Sequence, residues 1–195
     1  RHVANMKDVY GLPTVVAINR FPTDTEAELD LVRERCRELG AEAALSDVWA
    51  QGGAGGTELA EAVVKLCEEP GDFRFAYGLD GGIEDKLRAV VQRVYRGRDI
   101  DVLPEAAAQI DRLTALGMAH MPVCIAKTQY SFSDDKTKLG APEDFTVTVR
   151  EVKVSAGAGF IVALTGDVLT MPGLPKSPAA ERIDVDSTGK ISGLF

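Results

Sequence analysis

The chain has 195 residues, 45% hydrophobic and 27% charged, with a formal net charge of −8 at pH 7 and a pI near 4.9. That length buries a real core in one or two domains, and the acidic balance excludes a nucleic-acid backbone or an anionic lipid surface as principal partner, since either needs a basic patch. No apolar run approaches the ~18 residues of a membrane span, and the N-terminus has no signal-peptide layout.

The chain opens at Arg1 in what reads as the tail of a helix, which suggests the C-terminal piece of a longer protein. Thr14-Val15-Val16-Ala17-Ile18 is a continuous apolar, β-branched run, the composition of a parallel strand buried on both faces. Thr23 or Thr25 then caps a helix, with Glu26 and Glu28 at capping-box spacing. Leu29, Val32, Cys36 and Leu39 mark its inward stripe, and Gly40 ends it.

A weaker strand covers Ala41 to Leu45, followed by a polar, glycine-rich loop from Ser46 to Gly56. A further helix starts near Thr57, with Leu59, Val63 and Leu66 inward. This β-α-β-α order predicts a parallel crossover, and residues 1–70 are expected to form one α/β unit.

From about Pro70 the pattern changes, and residues 71–195 are expected to form a smaller α+β region. Ile83, Leu87, Val90 and Val94 mark one helix; Ile110, Leu113 and Leu116 mark another, opened by Pro104. Val123–Ala126 reads as a short strand leading into the polar Lys127-Thr128-Gln129-Tyr130-Ser131. Phe145 to Val154 alternates with a period of two, and Phe160 to Leu164 is a second run beyond Gly157-Ala158-Gly159. Met171 to Pro175 reads as a rigid loop, and Ile183 to Ile191 as a closing hairpin.

Cys36, Cys67 and Cys124 match no zinc or redox spacing, and an odd count suits no closed disulfide set. Cys36 and Cys67 fall on inward helix stripes as small buried hydrophobes. A reducing, cytoplasmic setting is expected. His2 and His120 are isolated, Asp134-Asp135 sits in a turn, and nothing in the pattern demands a metal.

Two stretches carry the functional signal. Asn19-Arg20-Phe21-Pro22 follows the first strand and Ser46-Asp47-Val48-Trp49 the second, so each places one ring beyond a strand's carboxyl end. Ligands of open α/β sheets bind at that rim. Aromatic residues make up only 6% of the chain, and Trp49 is its one tryptophan. Two such rings suit a slot for a flat ligand, or serve equally as core.

Several segments together resemble formate–tetrahydrofolate ligase, also called formyltetrahydrofolate synthetase, in its C-terminal portion. They are Val16 to Thr25, Ala44 to Ala50 with Gly52-Gly53, Ala126 to Ser131, Thr148 to Val152, Ser155 to Phe160, Thr170 to Lys176, and the ending Gly193-Leu194-Phe195. The resemblance runs along nearly the whole chain.

It implies an ATP-dependent enzyme of one-carbon metabolism that phosphorylates formate to formyl phosphate, which the N10 amine of tetrahydrofolate then attacks. It implies part of a P-loop-type parallel sheet with flanking helices. It also implies a folate ring held between Phe21 and Trp49, with Leu45 and Pro22 as apolar walls. The family's phosphate-binding loop ends in Gly-Lys-Thr, and no such stretch occurs here; Gly52 to Thr57 is glycine-rich but has no lysine before its threonine. The magnesium site and catalytic residues are therefore expected upstream, and this piece is expected to be inactive alone. Its partners would be formate, ATP, tetrahydrofolate, the remainder of the ligase chain and, in some members, further copies of itself.

Asn19 resembles the base-reading asparagine of P-loop folds, its amide offering donor and acceptor to adenine; a turn-forming role is the alternative. Ser155 to Gly159 is either a tight turn or an anion-binding nest. Lys127, Arg150 and Lys176 are candidate cations for a phosphate or the folate tail, or are simply solvated. A non-catalytic folate- or nucleotide-binding or assembly module is the competing function.

Overall fold

The computed structural model describes residues 1–166 and 177–193. Thr170 to Lys176, with the rigid loop expected at Met171 to Pro175, and Leu194-Phe195 lie outside the described residues.

A short helix α1 (His2–Ala4) runs into a π-helical turn at Asn5–Val9. Strand β1 (Val15–Asn19) pairs in parallel with β2 (Glu42–Ser46), joined by helix α2 (Glu26–Glu38). Thr25 begins α2 through a full capping box: its N–H donates to Glu28 Oε2 at 2.9 Å, and the Glu28 N–H donates to its hydroxyl at 3.4 Å. Gly40, at φ +66°, ends α2 in the left-handed conformation glycine tolerates best. The Gly40 and Ala41 N–H groups then return to the carbonyls of Arg37 and Cys36.

Beyond β2 the chain is more ordered than the expected loop. A four-residue helix α3 (Val48–Gln51) and a 3₁₀ turn at Gly52–Gly56 precede helix α4 (Thr57–Cys67). Helices α2 and α4 pack on the β1–β2 pair.

Among the described residues this first sheet has two strands, and that corrects the burial pattern read from the sequence. Ile18 alone is buried in β1, while Ala17 and Asn19 are exposed. In α2, Leu29 and Cys36 are buried, but Val32 and Leu39 are exposed. In α4 the buried residue is Ala62; Val63 and Cys67 are exposed. Two narrow strands cover one line of side chains per helix, so the outer part of each apolar stripe stays in solvent.

The second region holds a four-stranded sheet among the described residues. Its elements are helix α5 (Ile83–Val90), strand β3 (Asp99–Val102), helix α6 (Pro104–Ala115), and strands β4 (Val123–Ala126), β5 (Thr146–Ser155) and β6 (Phe160–Thr165). The strand order is β3-β5-β6-β4. The outer pairs are parallel and the central β5–β6 pair is antiparallel. Helices α5 and α6 pack against it and against each other.

The main core lies here: Ile83, Leu87, Val91, Ile110, Leu113, Val147, Val149, Val152, Ile161 and Ala163 form one buried cluster. A π-helical turn at Val91–Tyr95 extends α5, so Val91 rather than Val94 is buried at its end. Leu116, expected inward, lies just past α6 and is exposed. β3 was not anticipated, because Asp99-Ile100-Asp101-Val102 offers too short an alternation. A last hairpin pairs β7 (Asp184–Val185) with β8 (Ile191–Ser192).

The two sheets are tied by the chain between them. The Asp72 and Arg74 N–H groups donate to Gly11 O and Tyr10 O, both at 3.1 Å. Arg93 donates to Ala76 O, and the Tyr77 hydroxyl meets both the N–H (2.9 Å) and the carbonyl (3.1 Å) of Val123 on β4. From the other side, Asn5 Nδ2 donates to Val94 O at 2.9 Å. Among the described residues, no helix is long and apolar enough to cross a membrane.

Candidate functional site

The β1–β2 register pairs Ile18 with Leu45 and Asn19 with Ser46. Both strands therefore end at the same level, and their following loops leave from one edge. Phe21 lies two residues past β1 and Trp49 three past β2.

The first loop is a β-turn. The Asp24 N–H donates to Phe21 O at 3.0 Å, and the Phe21 N–H donates to Asp24 Oδ2 at 2.8 Å. Pro22 occupies the second turn position, where its fixed φ suits the turn. The turn leaves the Phe21 ring 59% exposed. The Arg20 guanidinium reaches Glu26 Oε1 at 3.1 Å, on the first turn of α2.

The second loop is held from residue 47. The Asp47 carbonyl accepts the N–H groups of Ala50 (3.2 Å) and Gln51 (3.0 Å), and its carboxylate accepts Gln51 Nε2 at 2.6 Å. Trp49 stands on this short helix with 77% of its surface exposed. Neither ring belongs to the core, and no aromatic ring stacks on either among the described residues. Exposed side chains of this size carry no packing duty at their own position.

The remaining residues of the expected slot divide. Pro22 is exposed beside Phe21 and Leu45 is half-buried in β2. Asn19 is exposed and paired with Ser46 through its backbone, while its side-chain amide makes no hydrogen bond with another described residue.

The other candidate residues lie elsewhere. The Lys127 ammonium donates to Thr128 O at 2.7 Å and to Ser131 O, and sits 5.4 Å from the Tyr95 ring centroid. Burial holds its pKa below the ordinary lysine range, with Asp134 opposing the shift. It lines a cavity of about 350 Å³ with Tyr95, Tyr130 and Phe132. Arg150 occupies the register shift of β5 and donates to Gly166 O at 2.8 Å. Lys176 lies outside the described residues.

Ser155 to Gly159 is a turn: the Ala158 and Gly159 N–H groups both donate to Ser155 O, at 3.0 and 2.8 Å. Those donors are not free for an anion. His120 bonds Gly117 O at 2.9 Å in an exposed loop, and His2 lies against Phe132. No cluster of His, Cys, Asp or Glu suited to a metal occurs among the described residues.

The residues that shape both loops, Asp24, Asp47 and Gln51, were not singled out from sequence. Their signals were available: an Asp three residues after Phe21 across a proline turn, and an acceptor–amide pair four residues apart on a helix. A family model described as formate–tetrahydrofolate ligase matches residues 1–195, the whole length of the chain, and the chain belongs to that family.

Proposed function

We propose that this chain supplies the folate-holding part of an enzyme that formylates tetrahydrofolate at N10, with the pteridine stacked between Phe21 and Trp49. The observation that carries this reading is the pair of exposed rings leaving adjacent parallel strands at one level. A pteridine is flat and heteroaromatic, and base–aromatic stacking, the comparable case, is worth about 1–3 kcal/mol per ring. Pro22 and Leu45 are the apolar walls, and Asn19 is offered to the nucleotide, since its amide has donor and acceptor to spare.

The chemistry needs activation before transfer. Formate is a poor acyl donor because its carboxylate is resonance-stabilised and its leaving group would be oxide. Phosphorylation by ATP gives formyl phosphate, a mixed anhydride with a good leaving group. The N10 lone pair attacks the formyl carbon, the C–O bond to phosphate breaks, and the amine gives up its proton. Positioning and charge neutralisation are the protein's share of such a reaction.

The sequence contains no Gly-Lys-Thr phosphate loop, so phosphate handling and magnesium are assigned to a polypeptide segment other than these residues. The chain alone is then a folate-binding unit without turnover. The exposed Val63 and Val64 of α4 and Leu31 of α2 suit cover by such a segment. The absence of that loop also favours a second reading, a binding module that works without catalysis.

Calorimetric titration of the chain with tetrahydrofolate tests the first reading. Binding that Trp49→Ala weakens supports the slot, and equal affinity in both proteins removes it. Turnover from formate, ATP and tetrahydrofolate, assayed with and without a P-loop-bearing ligase segment, separates the ligase from the binding module.

A further inference from the structure

We propose that Gly55 and Asp47 are positioning residues for the Trp49 ring, and that the end of the glycine run at Gly55 and Gly56 is a rigid brace rather than a phosphate cradle. The proposal rests on the stacking role of Trp49 set out above.

The argument starts from what holds the indole. It is 77% exposed and touches no other ring among the described residues, so its place is set by the backbone of α3. That helix has four residues, too few to be stable on its own. Its support comes from the chain that follows. The Asp47 N–H, at the start of α3, donates to Gly55 O at 2.9 Å, in the 3₁₀ turn just past its end. Residue 47 is thus bonded to the last turn of α3 through Ala50 and Gln51 and to the glycine run through Gly55.

The approach is close enough to dictate the residue. A Cβ on Gly55 would lie 2.3 Å from Asp47 O and 2.6 Å from its carbonyl carbon. Both are backbone atoms, and that oxygen already accepts two N–H groups, so it has nowhere to move. A Cβ on Gly56 would lie 2.9 Å from Val48 Cγ2, on the same helix. Gly53, two residues earlier, would meet nothing within 4 Å and has no positive φ. The run is therefore not uniformly permissive: it is tight where it crosses the Trp49 helix and open where it does not.

The test compares Gly55→Ala with Gly53→Ala as an internal control, with Gln51→Ala as a milder lesion and Trp49→Ala as the reference. Time-resolved fluorescence anisotropy and acrylamide quenching report on Trp49, the one tryptophan. Calorimetry gives the tetrahydrofolate affinity, and far-UV circular dichroism reports the fold. Gly53→Ala is expected to match the parent in every readout. Gly55→Ala is expected to free the indole, raising both its fast anisotropy decay and its quenching, and to weaken tetrahydrofolate by about tenfold or more with the circular dichroism unchanged. If Gly55→Ala fails to fold, Gln51→Ala decides, with a smaller gain in indole motion and a loss of roughly two- to fivefold.

An indole as rigid as the parent's in Gly55→Ala, or in Gln51→Ala where that variant decides, overturns the brace while Trp49→Ala still weakens binding. Parental affinity in Trp49→Ala overturns the stacking role and the purpose of the brace with it. The two failures are thus distinguishable.

Discussion

Asn19 and Ser46 face each other on the last rung of the β1–β2 ladder, and the Arg20 N–H adds one more bond to Ser46 O at 3.0 Å. The two strands are therefore locked together up to the point where their loops diverge. Neither Phe21 nor Trp49 is buried, so the stacking role proposed for these rings can be tested separately from stability. Phe21→Ala and Trp49→Ala are each expected to weaken tetrahydrofolate by about 5- to 150-fold, from the ~1–3 kcal/mol of one stacked ring. Each should change unfolding free energy by no more than about 0.5 kcal/mol, as for other exposed substitutions. Calorimetric titration and urea unfolding of the same samples check both halves.

The Thr25–Glu28 box fixes where α2 starts and hence where the Phe21 turn must end. Thr25→Ala removes the capping hydroxyl and is expected to cost about 1 kcal/mol in urea unfolding. The Thr25 N–H, and after it the Thr25 hydroxyl, hold the Glu28 carboxyl below the usual range. A carboxylate with a lowered folded-state pKa contributes stability that is present above its unfolded value near ~4.3 and is lost as pH falls through the folded value. Unfolding midpoints measured from pH 7 down to pH 3 should therefore fall less steeply in Glu28→Gln than in the parent.

Much of this architecture was legible in the sequence because local signals and fold agreed. Thr25 with Glu28, Gly40 after α2, Pro104 opening α6 and the alternation from Thr146 to Ser155 each specify an element by short-range chemistry. The Asn19–Phe21 and Ser46–Trp49 junctions were legible for the same reason, since a strand's end is marked by where the apolar run stops. Burial was legible at Leu29, Ile83, Leu87, Ile110 and Leu113 but not on the outer faces of the first sheet's helices. Val63 and Cys67 carry the periodicity of a buried face, but periodicity does not say how wide a sheet lies beneath it. The loop brace was missed because the contact between Asp47 and Gly55 is made by backbone atoms, which leave no trace in residue type except the glycine itself.

Lys86 is 1% exposed, and its ammonium donates to Ala119 O at 2.5 Å and Met121 O at 3.0 Å. It pins the loop that delivers the chain from α6 to β4. Lys86→Met keeps the apolar stem but leaves two carbonyls without a donor, and is expected to cost roughly 3 kcal/mol. Burial holds the Lys86 pKa below the lysine range, with Asp80 opposing. The unfolded chain then binds more protons than the folded one between that lowered value and ~10.4, so this residue makes stability rise with pH through that window. Urea unfolding from pH 8 to pH 10 should show the rise in the parent and a flatter course in Lys86→Met.

Tyr95 acts in the next window and with the opposite sign. Its hydroxyl is pushed up to about 12, first by burial and then by Cys124 and Tyr10. The ring packs 6.5 Å from Phe132 and 5.4 Å from Lys127 Nζ, at the end of the π-helical turn that receives Asn5. A folded-state pKa raised above the ordinary ~10 means that stability is intact below pH 10 and is lost as pH rises through the folded value. Ionisation would put an uncompensated phenolate into that apolar contact and loosen the junction between α1 and α5. Unfolding free energy is expected to decline between pH 10 and pH 12, and Tyr95→Phe, which cannot ionise, should remove its share of the decline. Ultraviolet absorbance of tyrosinate, followed over the same range, should show one late-titrating tyrosine that is missing from Tyr95→Phe. Absence of that late step from the parent would show that the junction is open to water.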